Sequence, residues 1–282
     1  MNKLKKIALI TRARNDNFFL ERWMRYYGPQ IGFEHIYIYL DGKDQPPPHD
    51  ASGKVHIELC DRLSGSLRVM EHQRLKFLSE KAAEHFAAGY DIVIGCDADE
   101  FIVVDPQLHL TLREYLSALK IKTSVSSLGF DVGQHKELEA TFDYDKGFLA
   151  QRHYALLAPD YTKPCIINKP VQWGVGFHRI RGHNFHIDPN LYLFHFGAFD
   201  FEFLKQRCMN NDLIQQGWEK HLEMRTRTIS LISQQEPIKG EAMLKRARFI
   251  QKWFRPPYKW NRPSMLNKWV AVEIPPRFWE IV

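Results

Sequence analysis

Within the first 105 residues, short apolar runs alternate with helical stretches, and most of the runs stop at an acid or an amide. Lys6–Thr11 reads as a buried strand, and Asn15 or Asp16 can cap a helix over 16–30 that places Phe19, Trp23 and Tyr26 at helical spacing. His35–Leu40 is a second strand ending at the turn pair Asp41-Gly42, and Lys54–Leu59 a third. A long helix over Leu67–Ala88 comes next. Tyr90–Cys96 is then a fourth, fully apolar strand that runs into Asp97-Ala98-Asp99-Glu100. Alternation of this kind predicts an α/β fold with a mostly parallel sheet and right-handed crossovers. In such sheets ligands bind beyond the carboxyl ends of the strands. Asn15, Asp41 and the Asp97/Asp99 pair should therefore converge on one edge.

Beyond residue 120 the pattern changes. Val125–Val132, Gly147–Arg152, Pro164–Ile167 and Asn190–Phe196 read as short strands, and Leu204–Gln216 and Met243–Phe254 as helices. His178, His183, His186 and His195 fall close together, with Gly174, Gly176 and Gly182 pointing to a loop around the first three. His178 and Arg179 are candidates for acceptor or phosphate contact. No Walker A loop, dinucleotide fingerprint, HExxH or GxSxG motif is present, which argues against ATPase, zincin and hydrolase chemistry.

Charge is distributed unevenly. The net charge is +6, yet residues 239–268 alone hold nine lysines and arginines against the single acid Glu241. That segment also carries Phe249, Trp253, Phe254, Tyr258 and Trp260. It can lie on an anionic membrane surface or pack on the body with its charges in water. Nucleic-acid binding is not expected, because no nucleic-acid motif accompanies it. The four cysteines are at least 36 residues apart, which is neither a zinc pattern nor a disulfide framework. The N-terminal apolar run Ile7–Ile10 is too short for a signal peptide, and no window approaches a membrane span. A cytoplasmic protein, either soluble or peripheral at the inner membrane face, is expected.

Asp97-x-Asp99 at the end of a buried strand places two carboxylates on one side of an extended segment, where they can share a hard divalent cation. The surrounding residues carry a resemblance. IALITRARNDNFFLERWMRYYGPQIGFEHIYIYLDGKDQ at 7–45 resembles the opening of family-2-like glycosyltransferases of the GT-A fold. CDADEF at 96–101 resembles their Asp-x-Asp-Glu-Phe metal motif, and LYLFHFGAFDFEFLKQR at 191–207 their later His-aromatic segment. The resemblance covers about residues 7–207.

It implies a GT-A-like, Rossmann-related, mostly parallel mixed sheet flanked by helices. A catalytic domain over 1–235 would have a nucleotide-sugar half to about 105 and an acceptor half after it. Residues 236–282 would form a basic, helical extension. The implied activity is metal-dependent transfer of a sugar from a UDP- or GDP-linked donor to a glycan or lipid-linked acceptor, in surface polysaccharide or lipopolysaccharide synthesis. Asp97, Asp99 and His195 match the residues that hold Mn²⁺ or Mg²⁺. Thr11, Arg12, Asn15, Asp16 and Asp41, with Asp97, match positions around the nucleotide sugar. Neither a Glu-Asp base motif nor a Gln-x-x-Arg-Trp motif is present, so the resemblance supplies no catalytic base. An inverting transfer is expected, which needs a base for the acceptor hydroxyl. Asp131, after the apolar run VSSLGF, is a candidate, with His178 and Asp200 as others. The alternative is a non-catalytic protein that binds membrane or nucleic acid through the basic segment.

Overall fold

A computed structural model describes residues 3–180, 186–209, 214, 217–253 and 269–282. The first half follows the predicted alternation. Strands β1 (Ile7–Ala13), β2 (Ile36–Asp41), β3 (His56–Cys60) and β4 (Ile92–Gly95) lie in the order β4-β1-β2-β3, all parallel. Helix α1 (Asn17–Ile31) joins β1 to β2, and α2 (Leu67–Ala87) joins β3 to β4. The β1 and β4 runs are apolar throughout because both of their faces are covered, whereas the edge strand β3 is largely exposed. Ile7 to Ile10 and Ile92 to Ile94 are fully buried. Helix α1 buries Phe19, Leu20, Trp23, Met24, Tyr27 and Ile31, a stripe at helical spacing.

The second half adds strands of mixed direction. After β5 (Glu100–Val104) and α3 (Leu112–Ala118) come β6 (Ser124–Gly133), β7 (Tyr154–Leu157), β8 (Ile166–Ile167) and β9 (Ile187–Ala198). The short β8 runs antiparallel to both β4 and β6 and so links the parallel block to the rest. β9 lies between β5 and β6, antiparallel to the first and parallel to the second. Helices α4 (Phe201–Cys208), α5 (Glu219–Gln234) and α6 (Glu241–Trp253) come after it, and β10 (Val270–Glu273) closes the sheet beside β7. The fold is thus mixed α/β, with a central sheet that is parallel at one end and flanked by helices.

Several elements differ from the sequence reading. Residues 147–152 form turns rather than a strand, because Phe148 is drawn into an aromatic cluster. Its ring stacks 4.3 Å from Phe196 and lies 5.0 Å from Phe199. Helices α3 and α5 and strand β7 were not anticipated. The helix expected over Leu204–Gln216 appears as α4, ending at Cys208; residues 210–213, 215 and 216 lie outside the described set, as does His183. Finally, the segment read as a C-terminal extension is built into the body. β10 pairs with β7, and Phe278 is fully buried against Tyr192 and Phe194.

A close backbone approach sets the position of Tyr161 and Lys163. The turn at Pro159–Tyr161 seats directly on β6 at Gly129. There the Ala158 N–H donates to the Gly129 carbonyl at 3.1 Å, and the Gly129 N–H donates to Thr162 Oγ1 at 3.0 Å. A methyl group at Gly129 would stand 2.6 Å from Thr162 N and 2.7 Å from Ala158 O, both backbone atoms. Gly129→Ala is therefore expected to push the turn off the sheet and to destabilise the protein by about 1–3 kcal/mol, the usual range for overpacking. Urea denaturation measures this, and a midpoint equal to wild type would show that the turn is not clamped here.

Candidate active site

The carboxyl ends of β1, β2, β3 and β4 lie at one edge of the sheet, as parallel pairing requires, and the predicted polar residues gather there. After β1 the chain turns at Asn15, which has a left-handed backbone (φ 51°) that asparagine tolerates better than most residues. Its N–H donates to Gln45 Oε1 at 2.8 Å. Asp16 occupies the N-cap position of α1 but makes no side-chain cap. Its carboxylate instead accepts from Arg207 Nη1 of α4 at 3.2 Å. Burial raises the Asp16 pKa, and Arg207 works against that rise.

Arg12 and Asp41 face each other across the ends of β1 and β2. Arg12 Nη2 donates to Asp41 Oδ1 at 2.6 Å and to the Asp61 carbonyl at 2.6 Å. Its guanidinium lies 4.6 Å from the centre of the Phe77 ring. Asp41 also accepts from the Leu63 N–H at 2.9 Å, so the pair ties the loop after β3 to the sheet edge. Beside it is a cleft of about 410 Å³ lined by Arg12, Cys60, Asp61, Leu63, Gln73 and Phe77, among others. Thr11 is placed differently from the expectation. Its side chain is fully buried and its hydroxyl has no hydrogen-bond partner, so it does not reach the cleft.

The acidic pair lies in a tight turn between β4 and β5 rather than in an extended segment. The Glu100 N–H closes this turn on the Asp97 carbonyl at 3.1 Å. The two carboxylates consequently meet different partners. Asp97 Oδ1 accepts from Arg74 Nη1 of α2 at 2.5 Å, and its Oδ2 from Lys163 Nζ at 3.3 Å. Lys163 also forms a short ion pair with Glu100, and both side chains are almost wholly buried. Asp99 Oδ2 lies 3.2 Å from His195 Nε2 and 3.2 Å from Arg225 Nη2 of α5.

His195 sits on β9 between two acids in register, Glu100 on β5 and Asp131 on β6. Its Nδ1 is 2.7 Å from Asp131 Oδ1, and its ring stacks on Tyr161 at 4.0 Å. Asp131 is not placed to act as a free base. Its second oxygen accepts from Thr228 Oγ1 at 2.8 Å, so both oxygens are engaged and the carboxylate orients His195 instead. The other candidates are also committed. His178 Nδ1 lies 2.7 Å from the Asp160 carbonyl. Asp200 caps α4 through the Phe203 N–H and pairs with buried Arg152.

The electrostatics stem from this geometry. Four carboxylates (Asp97, Asp99, Glu100, Asp131) share the site with four cationic or protonatable groups (Arg74, Lys163, His195, Arg225). Burial pushes the Asp97 and Asp99 carboxyls up, but their cations outweigh it and hold both well below the usual range. Burial likewise opposes charge on Lys163, yet Glu100 and Asp97 hold its pKa above the ordinary lysine value. For His195, burial works against the imidazolium. The charge of Asp99 and hydrogen bonds to Asp131 and Asp99 nevertheless keep its pKa at about 9, above the ordinary 6.5.

Whether a divalent cation fits is a question of donors. Among the described residues, no three His, Cys, Asp or Glu side chains converge to hold a metal ion by themselves. Asp97, Asp99 and His195 are thus not gathered into one donor set, because Asp97 is taken up by Arg74 and Lys163. Asp99 Oδ2 and His195 Nε2 are two facing donors, with Asp131 behind the imidazole. A carboxylate behind a ligating histidine fixes its tautomer and orientation. A Mg²⁺- or Mn²⁺-like ion at this pair would take the place of the His195 Nε2 proton, since only a neutral imidazole ligates, and of Arg225 at Asp99 Oδ2, with phosphate oxygens and water completing it. The two groups do not fit a resident structural ion.

Arg74, Lys163, Arg207, Arg225 and Tyr161 went unnoticed in the sequence. Arg74 lies on a predicted helix but belongs to no motif, and Arg225 lies on the unanticipated α5. No protein-family model matches the chain, and no curated protein matches it either. Among the described residues, no helix is long and apolar enough to cross a membrane.

Two outcomes test this electrostatic arrangement. Lys163→Met should leave Asp97 and Glu100 buried without their shared cation, and is expected to cost about 3–5 kcal/mol in urea denaturation. Adding Glu100→Gln should recover part of that loss, and equal stability of the single and double variants would count against the pairing. The second outcome concerns pH. A histidine whose pKa is raised on folding contributes fully below its unfolded value of 6.5, and that contribution is lost as pH rises through about 9. Urea midpoints should therefore fall across that window, and His195→Gln should flatten the fall; identical profiles for the two proteins would remove His195 as the cause.

Proposed function

We propose that the protein is a glycosyltransferase of GT-A type. It would move a sugar from a UDP- or GDP-linked donor to a hydroxyl of a glycan or lipid-linked acceptor, in surface polysaccharide or lipopolysaccharide synthesis. The observation that carries this reading is the Asp97–Glu100 turn. It gathers Asp97, Asp99 and Glu100, with Asp131 across β9, into one charge-balanced cluster just past the carboxyl end of β4, while a cleft opens at the ends of β1 and β3. A protein that only binds has no need to bury so many opposed charges at one place in the sheet.

The roles derive from position. The cleft between Cys60 and Phe77 receives the nucleoside, with the Arg12 guanidinium over Phe77 forming part of its wall. The Arg12–Asp41 pair holds the ends of β1 and β2 and the loop after β3 in register around it. The diphosphate then extends toward Asp99 and His195. A divalent cation bound there would act as a Lewis acid on the departing diphosphate. Arg225 and Lys163 stand within the cluster, and Arg207 stands apart from it on Asp16, as fixed donors for phosphate oxygens. They are already oriented by carboxylates, so little reorganisation is needed when charge develops. Asp131 and Tyr161 keep the His195 ring in place, the first through Nδ1 and the second by stacking.

Calorimetric titration of UDP and GDP, with and without Mn²⁺, tests the proposal. One nucleotide is expected to bind at least about tenfold more tightly with the cation, a difference of about 1.4 kcal/mol. Asp97→Asn/Asp99→Asn, checked for an unchanged circular dichroism spectrum, should abolish that gain. Failure of both nucleotides and of other nucleotide diphosphates to bind folded protein would end this reading.

A further inference from the structure

Helix α6 presents two unlike faces. The inner face is docked on the body through buried Leu244, Ala247 and Gln251. Arg248 donates to the Asp188 carbonyl at 3.2 Å and lies over the Tyr192 ring at 4.4 Å. Gln251 Oε1 accepts from Thr162 Oγ1 at 2.6 Å. The helix is therefore fixed in orientation, and its outer face is a surface of the folded molecule.

That outer face combines two features that soluble helices keep apart. Ala242, Arg246, Phe249 and Trp253 succeed one another at spacings of four, three and four along a single stripe. Phe249 is 66% exposed and Trp253 69%, among the most exposed large apolar side chains of the described residues. Lys245 and Lys252 flank the stripe and are exposed, and Lys252 lies 5.4 Å from the Trp253 ring. Among the described residues, no ion pair engages Lys245, Arg246 or Lys252. The helix's one acid, Glu241, is paired with Arg277 and so adds no free negative charge. Beyond Trp253 the sequence keeps this composition, with Arg255, Lys259, Arg262 and Lys268 among further aromatics and no acid before Glu273.

We propose that this face of α6 docks in the plane of an anionic phospholipid bilayer. Bulky aromatics standing out from a rigid helix need an interface that accepts their apolar bodies, and the flanking ammonium and guanidinium groups need phosphates at the same depth. The headgroup region of an anionic bilayer supplies both at once. A nucleic-acid duplex would meet the charges but leave Phe249 in water. With 13 residues, α6 is about 20 Å long, at about 1.5 Å per residue, and lies along the surface rather than through it. The proposal is independent of the catalytic reading, since it uses none of the residues assigned to transfer.

Flotation of the full chain with phosphatidylcholine vesicles, with and without phosphatidylglycerol, is the test. Binding to the anionic vesicles is expected to be at least about tenfold tighter and to weaken with salt. Phe249→Ala/Trp253→Ala should lower it at least about tenfold, and Lys245→Gln/Arg246→Gln/Lys252→Gln should lower it and reduce its salt dependence. Both variants should melt as wild type, because these side chains are exposed. Three results would overturn the proposal: no binding to anionic vesicles, equal binding to both kinds, or wild-type binding by the aromatic variant. Duplex DNA bound in preference to vesicles would overturn it as well, and would assign the basic face to nucleic acid.

Discussion

Burying a carboxylate at the end of a sheet is costly unless a cation accompanies it, and here several carboxylates are brought to one turn. The turn between β4 and β5 holds Asp97, Asp99 and Glu100, and Asp131 stands across β9 from Glu100. Their partners come from distant parts of the chain: Arg74 from α2, Lys163 from the segment before β8, His195 from β9 and Arg225 from α5. The ion pairs thereby tie the first half of the fold to the second. An error in the placement of any of these elements would leave a charge unmatched in a largely buried setting. The acidic turn is thus a constraint on assembly.

That constraint explains small details elsewhere. Lys163 and Tyr161 can reach the site only because the turn that carries them settles on β6 at a glycine. His195 is confined by register between two acids and by a stacked tyrosine, so its ring has little freedom to rotate. The pairing of β6 with β9 shifts register between Asp131 and Gly133, immediately beside the aspartate that steadies the histidine. Such irregularities commonly re-aim a side chain next to a functional site.

The parallel block was legible because burial on both faces leaves a local mark. IALI, IYIYL and IVIG are apolar at successive positions, and only a doubly covered strand has use for that pattern. The edge where Asp41 and Asp97 would meet was set by topology. The side chains that neutralise these acids left no such mark. Lys163 sits in an unremarkable Thr-Lys-Pro, and Arg225 lies on a helix whose charged residues mask its buried Leu222, Ile229 and Ile232. Spacing also misled where the chain bends: residues two apart share a side in a strand, but Asp97 and Asp99 span a turn and part company. Likewise Phe148 looked like strand material and serves instead as the centre of an aromatic cluster.

The placement of β10 matters for the soundness of the sheet. By pairing with β7 along Tyr154–Leu157, it occupies backbone groups that would otherwise form an open edge. Strand edges of that sort recruit other chains, and proteins protect them by covering or charging them. On the opposite side the sheet ends at β3, where Glu58 and the exposed His56 interrupt the apolar pattern. The chain thus closes one border with its own C-terminal segment and guards the other with polar side chains. A shortened chain lacking that segment would lose more than its basic helix: it would offer a bare, apolar strand to its neighbours and tend toward aggregation.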